Sequence, residues 1–428
     1  MRAIGIDIGT TSVCGVVIDA ESGRVIRSRT ENSNAFLKGA AEWERIQSVE
    51  RIMAIATEIL EDLLEDNVAV IGVTGQMHGI VYLNAAGDAI SPLYTWQDVR
   101  GNQPFGNITY AGHLGSFAGY GNVTDLYNRE NGIRPAEAVR YCTIHDYFVM
   151  KLCGLQRPLM HASNAASLGC YDLVQNRFNY DLDVEVVTDY CIAGYYHGIP
   201  VSVAIGDNQA SVFSTLAGDD RLLLNIGTGS QVSIVSDHVI TGENIETRPY
   251  FEGKYLVVGS ALCGGRAYSL LKNFYAEILG YASEVDDGRV YAIMDRMLQK
   301  VKTASLAVNT RFAGTRSDPT VTGSITGLTT ENFNPSQLTL GVLEGIAAEL
   351  YEMYEKMGVK KCGIVGSGNG IRKNPALAEV FERLFGAKMA IPAHLEEASF
   401  GAALFGLISA GVFQNAEAAQ AMIKYERS

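Results

Sequence analysis

No uninterrupted apolar run in the sequence approaches the roughly 20 residues that a membrane-spanning helix requires. The chain also opens on a strand-like pattern rather than a charged-then-apolar leader, so a cytoplasmic protein with no membrane partner is expected. Basic residues are in the minority, 34 Lys and Arg against 47 Asp and Glu, for a net charge of −13. A sequence-independent nucleic-acid surface needs clustered Lys and Arg, so nucleic acid is not an expected partner. An anionic small ligand stays open, because backbone amides and a bound cation hold phosphate locally. The seven cysteines (Cys14, Cys142, Cys153, Cys170, Cys191, Cys263 and Cys362) are odd in number and never fall as Cys-x-x-Cys. This argues against a disulfide framework or zinc site and for small buried hydrophobes in a reducing compartment. Disorder is absent too, since 47% hydrophobic and 19% charged residues is an ordinary globular composition.

What is present is a repeat. Ile4-Gly5-Ile6-Asp7-Ile8-Gly9-Thr10-Thr11-Ser12 reappears 218 positions later as Leu222-Leu223-Leu224-Asn225-Ile226-Gly227-Thr228-Gly229-Ser230, matching Asp7 to Asn225, Gly9 to Gly227 and Thr10 to Thr228. Each copy is an apolar run, a polar glycine turn and a second apolar run, the pattern of a β-hairpin. Successive amides with Thr and Ser hydroxyls make a cradle for phosphate oxygens; one copy alone reads equally as an ordinary turn. A chain of 428 residues exceeds the size at which single cores split, and the second copy begins near its middle, so two domains are expected.

After the first hairpin, helical periodicity over 42–65 precedes a strand at 68–73, the alternation of α/β layers. That strand runs into Thr74-Gly75-Gln76-Met77-His78-Gly79, at the carboxyl end where such sheets form ligand crevices. Gln76 and His78 suit sugar hydroxyls, while a lone His also caps turns. Thr95-Trp96-Gln97-Asp98-Val99-Arg100 has the composition of a sugar site, an indole face beside planar polar groups, or of a surface Asp98–Arg100 ion pair beside a half-buried Trp. Residues 101–195 are uninformative: 145–152 is helical in pattern, and Ser163-Asn164-Ala165-Ala166-Ser167 is a small polar patch without assigned chemistry.

The strand 201–205 ends in Gly206-Asp207-Asn208-Gln209, where Asp207 occupies a helix N-cap position. Helices are expected over 267–278, 290–301, 338–357 and 376–385, with a glycine-rich loop from Arg311 through Thr315 to Pro319. A strand at 361–365 leads into Gly366-Ser367-Gly368-Asn369, and Asn374-Pro375 opens the next helix, a nucleotide-type turn without the third glycine of a dinucleotide fingerprint. Glu396-Glu397-Ala398-Ser399-Phe400-Gly401-Ala402-Ala403 starts a small-residue helix, expected to pack beside that turn.

In this order the motifs resemble those of the FGGY carbohydrate kinases, from Ile4 to about Leu407. The resemblance implies an α/β fold of two ribonuclease H-like domains of the actin and hexokinase type, residues 1–197 and 198–428, with an active-site cleft between them that closes to exclude water. It implies ATP and Mg²⁺ as cofactors, with Gly9, Thr10 and Thr11 as the first phosphate motif, Gly227, Thr228 and Gly229 as the second, Gly366, Ser367, Gly368 and Asn369 as the adenosine motif, and Asn374 near the base. Asp7 then lies near the metal, largely through water, and Asp207 matches the catalytic base, in place of its cap reading. Gln76, Met77, His78, Trp96 and Asp98 become sugar-contacting, together with Asp207. Gly75-Gln76-Met77-His78-Gly79 and Gln97 favour a ketose, sedoheptulose before D-xylulose or another pentulose. Thr315 stands where the family commonly has Glu. The oligomeric state is left open, a homodimer included. Two readings from other classes are an actin- or Hsp70-like ATPase and a sugar-responsive regulator without catalysis.

Overall fold

The computed structural model describes residues 1–281, 286–318 and 320–427; Pro319, the end of the glycine-rich loop, lies outside them. The chain packs as two compact units. The first contains Met1–Ala217, Arg248–Tyr255 and His394–Lys424; the second contains Gly218–Thr247 and Leu256–Ala393 with the strand at Tyr425–Arg427. Where the sequence suggests a single division near 197, the packing interleaves segments, and Asp207 falls in the first unit.

The first unit is built on a seven-stranded sheet of β1 (Arg2–Ile8), β2 (Ser12–Asp19), β3 (Val25–Asn32), β4 (Val68–Gly75), β5 (Ile192–Tyr196), β6 (Ile199–Ser202) and β7 (Ile205–Gly206). Its order is β5-β6-β4-β1-β2-β3, with β7 paired to the end of β4. β1 to β3 form an antiparallel meander, and β4 runs parallel to β1. Ile4, Ile6 and Ile8 on one face of β1 and Ala3 and Gly5 on the other are buried, as in a strand covered on both faces. Gly15 of β2 lies under Ile59 and Leu63 of α1 (Val49–Leu63). The periodicity suggests a helix from 42, but the Ser48 hydroxyl accepts from the Arg51 amide and fixes the start, while Ile46–Gln47 pair with Leu93–Tyr94. Three further helices matter for the site: α2 (Ile144–Leu152), α3 (Ala162–Ser167) and α4 (Asp207–Thr215).

The second unit repeats the plan. Strands β8 (Arg221–Ile226), β9 (Ser230–Ser236), β10 (Ile245–Pro249), β11 (Tyr255–Ala261), β12 (Gly363–Ser367), β13 (Met389–Pro392) and β14 (Tyr425–Arg427) are ordered β10-β11-β9-β8-β12-β13-β14. β8 is antiparallel to β9 and parallel to β12, as β1 is to β2 and β4. The two hairpin turns differ, however. Ile8 pairs with Val13 across four residues, whereas Ile226 pairs with Ser230 across three, a difference that the gapless repeat conceals. Helices α5 (Gly265–Gly280), α6 (Asp287–Leu298), α7 (Pro335–Met357), α8 (Asn369–Arg372) and α9 (Pro375–Phe385) complete this unit.

The small-residue helix α10 (Glu397–Ser409) returns to the first unit and lies directly on its sheet. A Cβ on Gly5 of β1 would fall 1.8 Å from the Ser399 carbonyl oxygen, one on Gly72 of β4 1.9 Å from that of Ala402, and one on Gly401 1.9 Å from that of Ala210. The expectation that α10 packs beside the adenosine turn is therefore corrected: it covers β1, β4 and α4. Cys14, Cys142 and Cys263 are buried as expected, but Cys362 is exposed; all seven cysteines are free thiols. No helix among the described residues is long and apolar enough to cross a membrane.

Candidate active site

Asp7 stands at the end of β1, across from Cys14 on β2 and Thr74 on β4. Its Oδ1 is shielded from solvent and has no hydrogen-bond partner. Burial, then the nearby charges of Asp207 and Glu396, push its carboxyl up to about 7. Asp207 is the first residue of α4; Gly206 occupies the N-cap, and no side chain caps the helix. Asp207 is thus not the N-cap residue, although the backbone amides of Asn208 and of Asp207 itself lie beside its carboxylate and lower its pKa. Burial pushes Asp207 up to about 6 against the opposing charge of Arg248, a buried guanidinium that also donates to Asn208 Oδ1 at 3.1 Å. Sequence reasoning missed Arg248 and Glu396. Glu396 precedes α10 and accepts from the Cys14 thiol at 3.4 Å, a contact spanning 382 positions that no local pattern signals.

The first phosphate turn is tied to the expected sugar segments. Trp96 Nε1 donates to the Thr10 hydroxyl at 2.9 Å, and that hydroxyl donates to Gln76 Oε1 at 3.3 Å. Gln76 Nε2 donates to Gln47 Oε1 at 3.0 Å, and Gln47 Nε2 donates to the Thr10 carbonyl at 2.6 Å. The Thr10 hydroxyl therefore serves Trp96 and Gln76, and the backbone around Gly9 and the exposed Thr11 is what the turn offers outward. Gln76, 2% exposed, braces the turn. Trp96, 46% exposed, presents its ring to solvent.

Met77 is buried, its thioether closing the space over Gly206. His78 sits in the left-handed region at φ +74°, its amide donating to Ser167 Oγ at 3.1 Å, its Nδ1 2.8 Å from the Ser167 carbonyl, and its ring stacked 4.2 Å from Tyr120. Asp98 is wholly buried. Its Oδ1 accepts from Arg100 N and Nε at 3.1 and 2.8 Å, and its Oδ2 from Arg100 Nη2 and Arg45 N at 2.9 and 3.0 Å. With all these acceptor sites engaged, Asp98 fixes the segment that carries Trp96 instead of meeting a ligand, and its pair with Arg100 is buried rather than on the surface.

In the second unit the carbonyls of Gly227 and Thr228 accept from the amides of Gly265 (2.9 Å), Gly264 (3.0 Å) and Arg266 (3.1 Å), docking the turn on the start of α5. Gly227 and Thr228 remain exposed, and a Cβ on Gly229 would crowd the Ala261 carbonyl at 2.9 Å. Gly368, at φ +80°, lets the next turn close on the end of β8, where a Cβ would lie 2.5 Å from the Ile226 carbonyl. Ser367 is wholly buried with an unpartnered hydroxyl, and a Cβ on Gly366 would strike Met389, whereas Asn369 is exposed. Asn374, expected near a base, caps α9 by accepting from the Leu377 amide at 3.1 Å. Thr315 bonds within its own loop, to the Asp318 carbonyl and Ser317. Among the described residues no group of three or more His, Cys, Asp or Glu side chains is placed to hold a metal ion.

Residues 2–119 match the N-terminal domain, and residues 222–410 the C-terminal domain, of the FGGY family of carbohydrate kinases. The chain is 29% identical to the sedoheptulokinase of Mus musculus and 28% to that of Homo sapiens, each over 94% of this chain and 96% of the relative. The fold resembles crystal structures of the xylulose kinase of Rhodospirillum rubrum (TM-score 0.86, 18% identity, 100% of this chain and 94% of that one) and of Plasmodium falciparum glycerol kinase with ADP (TM-score 0.81, 17% identity, 98% and 92%). The first phosphate motif and the Gln76 and Trp96 segments fall inside the first matched domain, the second phosphate motif and the Gly366–Asn369 turn inside the second, with Asp207 between them, and the chain belongs to the FGGY family of carbohydrate kinases.

Proposed function

We propose that the chain transfers the γ-phosphoryl group of ATP to a terminal hydroxyl of a ketose, sedoheptulose before D-xylulose. The observation that carries the reading is Asp207: a carboxylate in the first turn of α4, after the Gly206 N-cap, with its pKa pushed up to about 6 by burial against the opposing charge of Arg248. Asp207 accepts the proton of the attacking hydroxyl as its oxygen bonds to the γ-phosphorus and the bond to the bridging oxygen of ADP breaks. Asp7 Oδ1, buried and unpartnered, fits a cation that keeps most of its water shell and takes its other ligands from phosphate. Bound Mg²⁺ would neutralise charge on the phosphates. The exposed Gly227–Thr228 turn and the Gly368–Asn369 turn suit the nucleotide, and the exposed Trp96 ring suits the C–H face of a sugar. Sedoheptulose leads because similarity to the mouse and human sedoheptulokinases spans 94% of the chain. A reaction that uses ATP in this way is consistent with a cytoplasmic location.

The test is ADP release with Mg-ATP across sedoheptulose, D-xylulose, L-ribulose, D-ribulose and glycerol, with a no-sugar control. Turnover with sedoheptulose above the others is expected. Absence of turnover with every sugar of the panel, while ATP still binds, would overturn the reading.

A further inference from the structure

The six-residue helix α3, whose polar residues carried no chemistry in the sequence, touches both catalytic segments of the first unit. Its Ser167 hydroxyl accepts from the His78 amide at 3.1 Å and donates to the Asn164 carbonyl at 2.7 Å, while its carbonyl lies 2.8 Å from His78 Nδ1. A carbonyl only accepts, so Nδ1 carries the proton and the ring tautomer is set. His78 occupies the left-handed region, which a non-glycine residue keeps only where its surroundings enforce it. Four residues earlier, the Ser163 hydroxyl accepts from the Gly206 amide at 3.0 Å and is bonded to His161 Nδ1 at 2.9 Å, fixing the residue directly before Asp207. Between them Asn164 Nδ2 donates to Asp146 Oδ1 of α2 at 2.8 Å and to the Ala204 carbonyl at 3.0 Å. Ser163, Asn164 and Ser167 are all buried. Thr74 Oγ1 donates to the Ile205 carbonyl at 2.8 Å, joining the two strand ends that lead to His78 and Asp207.

We propose that α3 is a positioning block for the transfer reaction, in which Ser167 sets the His78 corner against the sugar and Ser163 sets the backbone from which Asp207 reaches the attacking hydroxyl. The proposal rests on the kinase reading above. Neither serine is a catalytic residue. Each acts through a neighbour, and small misplacements of reacting groups cost rate steeply, about 10²-fold for 1 Å.

The two serines therefore separate kinetically. Ser167→Ala is expected to raise KM for the ketose about fivefold or more with kcat within about twofold, and Ser163→Ala to lower kcat about tenfold or more with ketose KM nearly unchanged. KM for ATP stays at the parent value in both. Ser→Cys at each position, which fills the same space with a weak acceptor, gives the same split if an Ala variant fails to fold. His78→Ala and Asp207→Asn are measured beside them. The proposal is overturned if those two controls lose ketose affinity and turnover while the serine variants keep parent constants, or if both serine variants lose kcat, KM and melting temperature together. If His78→Ala and Asp207→Asn themselves leave the constants unchanged, the kinase assignment of these residues falls, and the positioning role with it.

Discussion

Asp207 is governed by opposed influences, burial that raises its pKa to about 6 and, lowering it, first the Arg248 charge and then the backbone amides of Asn208 and Asp207. Only the ionised carboxylate accepts a proton, so kcat/KM for the ketose is expected to fall on the acid side with a limb near pH 6. Arg248→Met removes the largest of the lowering influences and moves that limb to higher pH. A pH–rate series on both proteins checks this, and a limb unmoved by Arg248→Met would separate the two residues functionally. Asp207→Asn keeps the shape without the proton acceptor, and steady-state turnover is expected to fall by about 10² to 10⁴. Thr10 makes a different case. Its hydroxyl bonds to Trp96 and Gln76, so Thr10→Val should raise ketose KM several-fold, in line with about 1 kcal/mol for a hydrogen bond, and leave ATP KM within about twofold. A larger effect on ATP KM would return the hydroxyl to the phosphate. At this scale the sequence showed which segments matter but not how each side chain is used. Residue types at Gln76, Asp98 and Asn374 suit ligands, yet each bonds mainly within the protein, because a segment that presents Trp96 or a turn outward must itself be held by buried polar partners.

The contact of α10 with β1 and β4 places backbone against backbone, and glycine is required at Gly5 and Gly72 because a Cβ there would overlap carbonyl oxygens that cannot swing away. Gly5→Ala and Gly72→Ala are each expected to destabilise the first unit by about 1–3 kcal/mol or more. Gly280→Ala, at the open end of α5 where a Cβ meets nothing within 4 Å, serves as the neutral control. Denaturant midpoints check the contrast, and equal midpoints for all three would remove the close-packing account. The elements themselves were largely legible: both hairpins, the helices near 267, 338 and 376, and the nucleotide-type turn follow from period and punctuation. Their tertiary partners were not. The small-residue run announces close approach to something, but the nearest motif before it in sequence is the Gly366–Asn369 turn, whereas its neighbours in space are strands 330 and 394 positions earlier, Gly72 against Ala402 and Gly5 against Ser399. Nor does periodicity stop a helix at Ser48; a side-chain cap does.

In the molecule as a whole, excess negative charge coexists with buried groups pushed toward their neutral forms, and five of the carboxyl and imidazole groups among them lie in the first unit. Burial raises Asp7 and Asp146 to about 7 and Asp207 to about 6, and lowers His145 and His161 to about 4 and 3. The two kinds act in opposite senses on stability. A raised carboxyl holds its proton in the folded state after the unfolded chain has lost it, so its contribution is full below about pH 4 and is lost as pH rises through the folded value. A lowered imidazole contributes above its ordinary value near 6.5 and loses that contribution as pH falls toward 4. Between about pH 4 and 6.5 three groups therefore weaken the fold with rising pH while two strengthen it, and the slopes largely cancel. Asp146 isolates one of these contributions, because its Oδ1 and Oδ2 accept from Asn164 and Thr143 and no ligand contact is proposed for it. Asp146→Asn keeps the shape and removes the titration. Its stability relative to the parent, followed by denaturant melts in EDTA, is expected to rise steadily from about pH 4 to 7 and to level off above. A difference that stays constant across that range would mean that Asp146 ionises in the fold as it does in the unfolded chain, and that burial does not shift it.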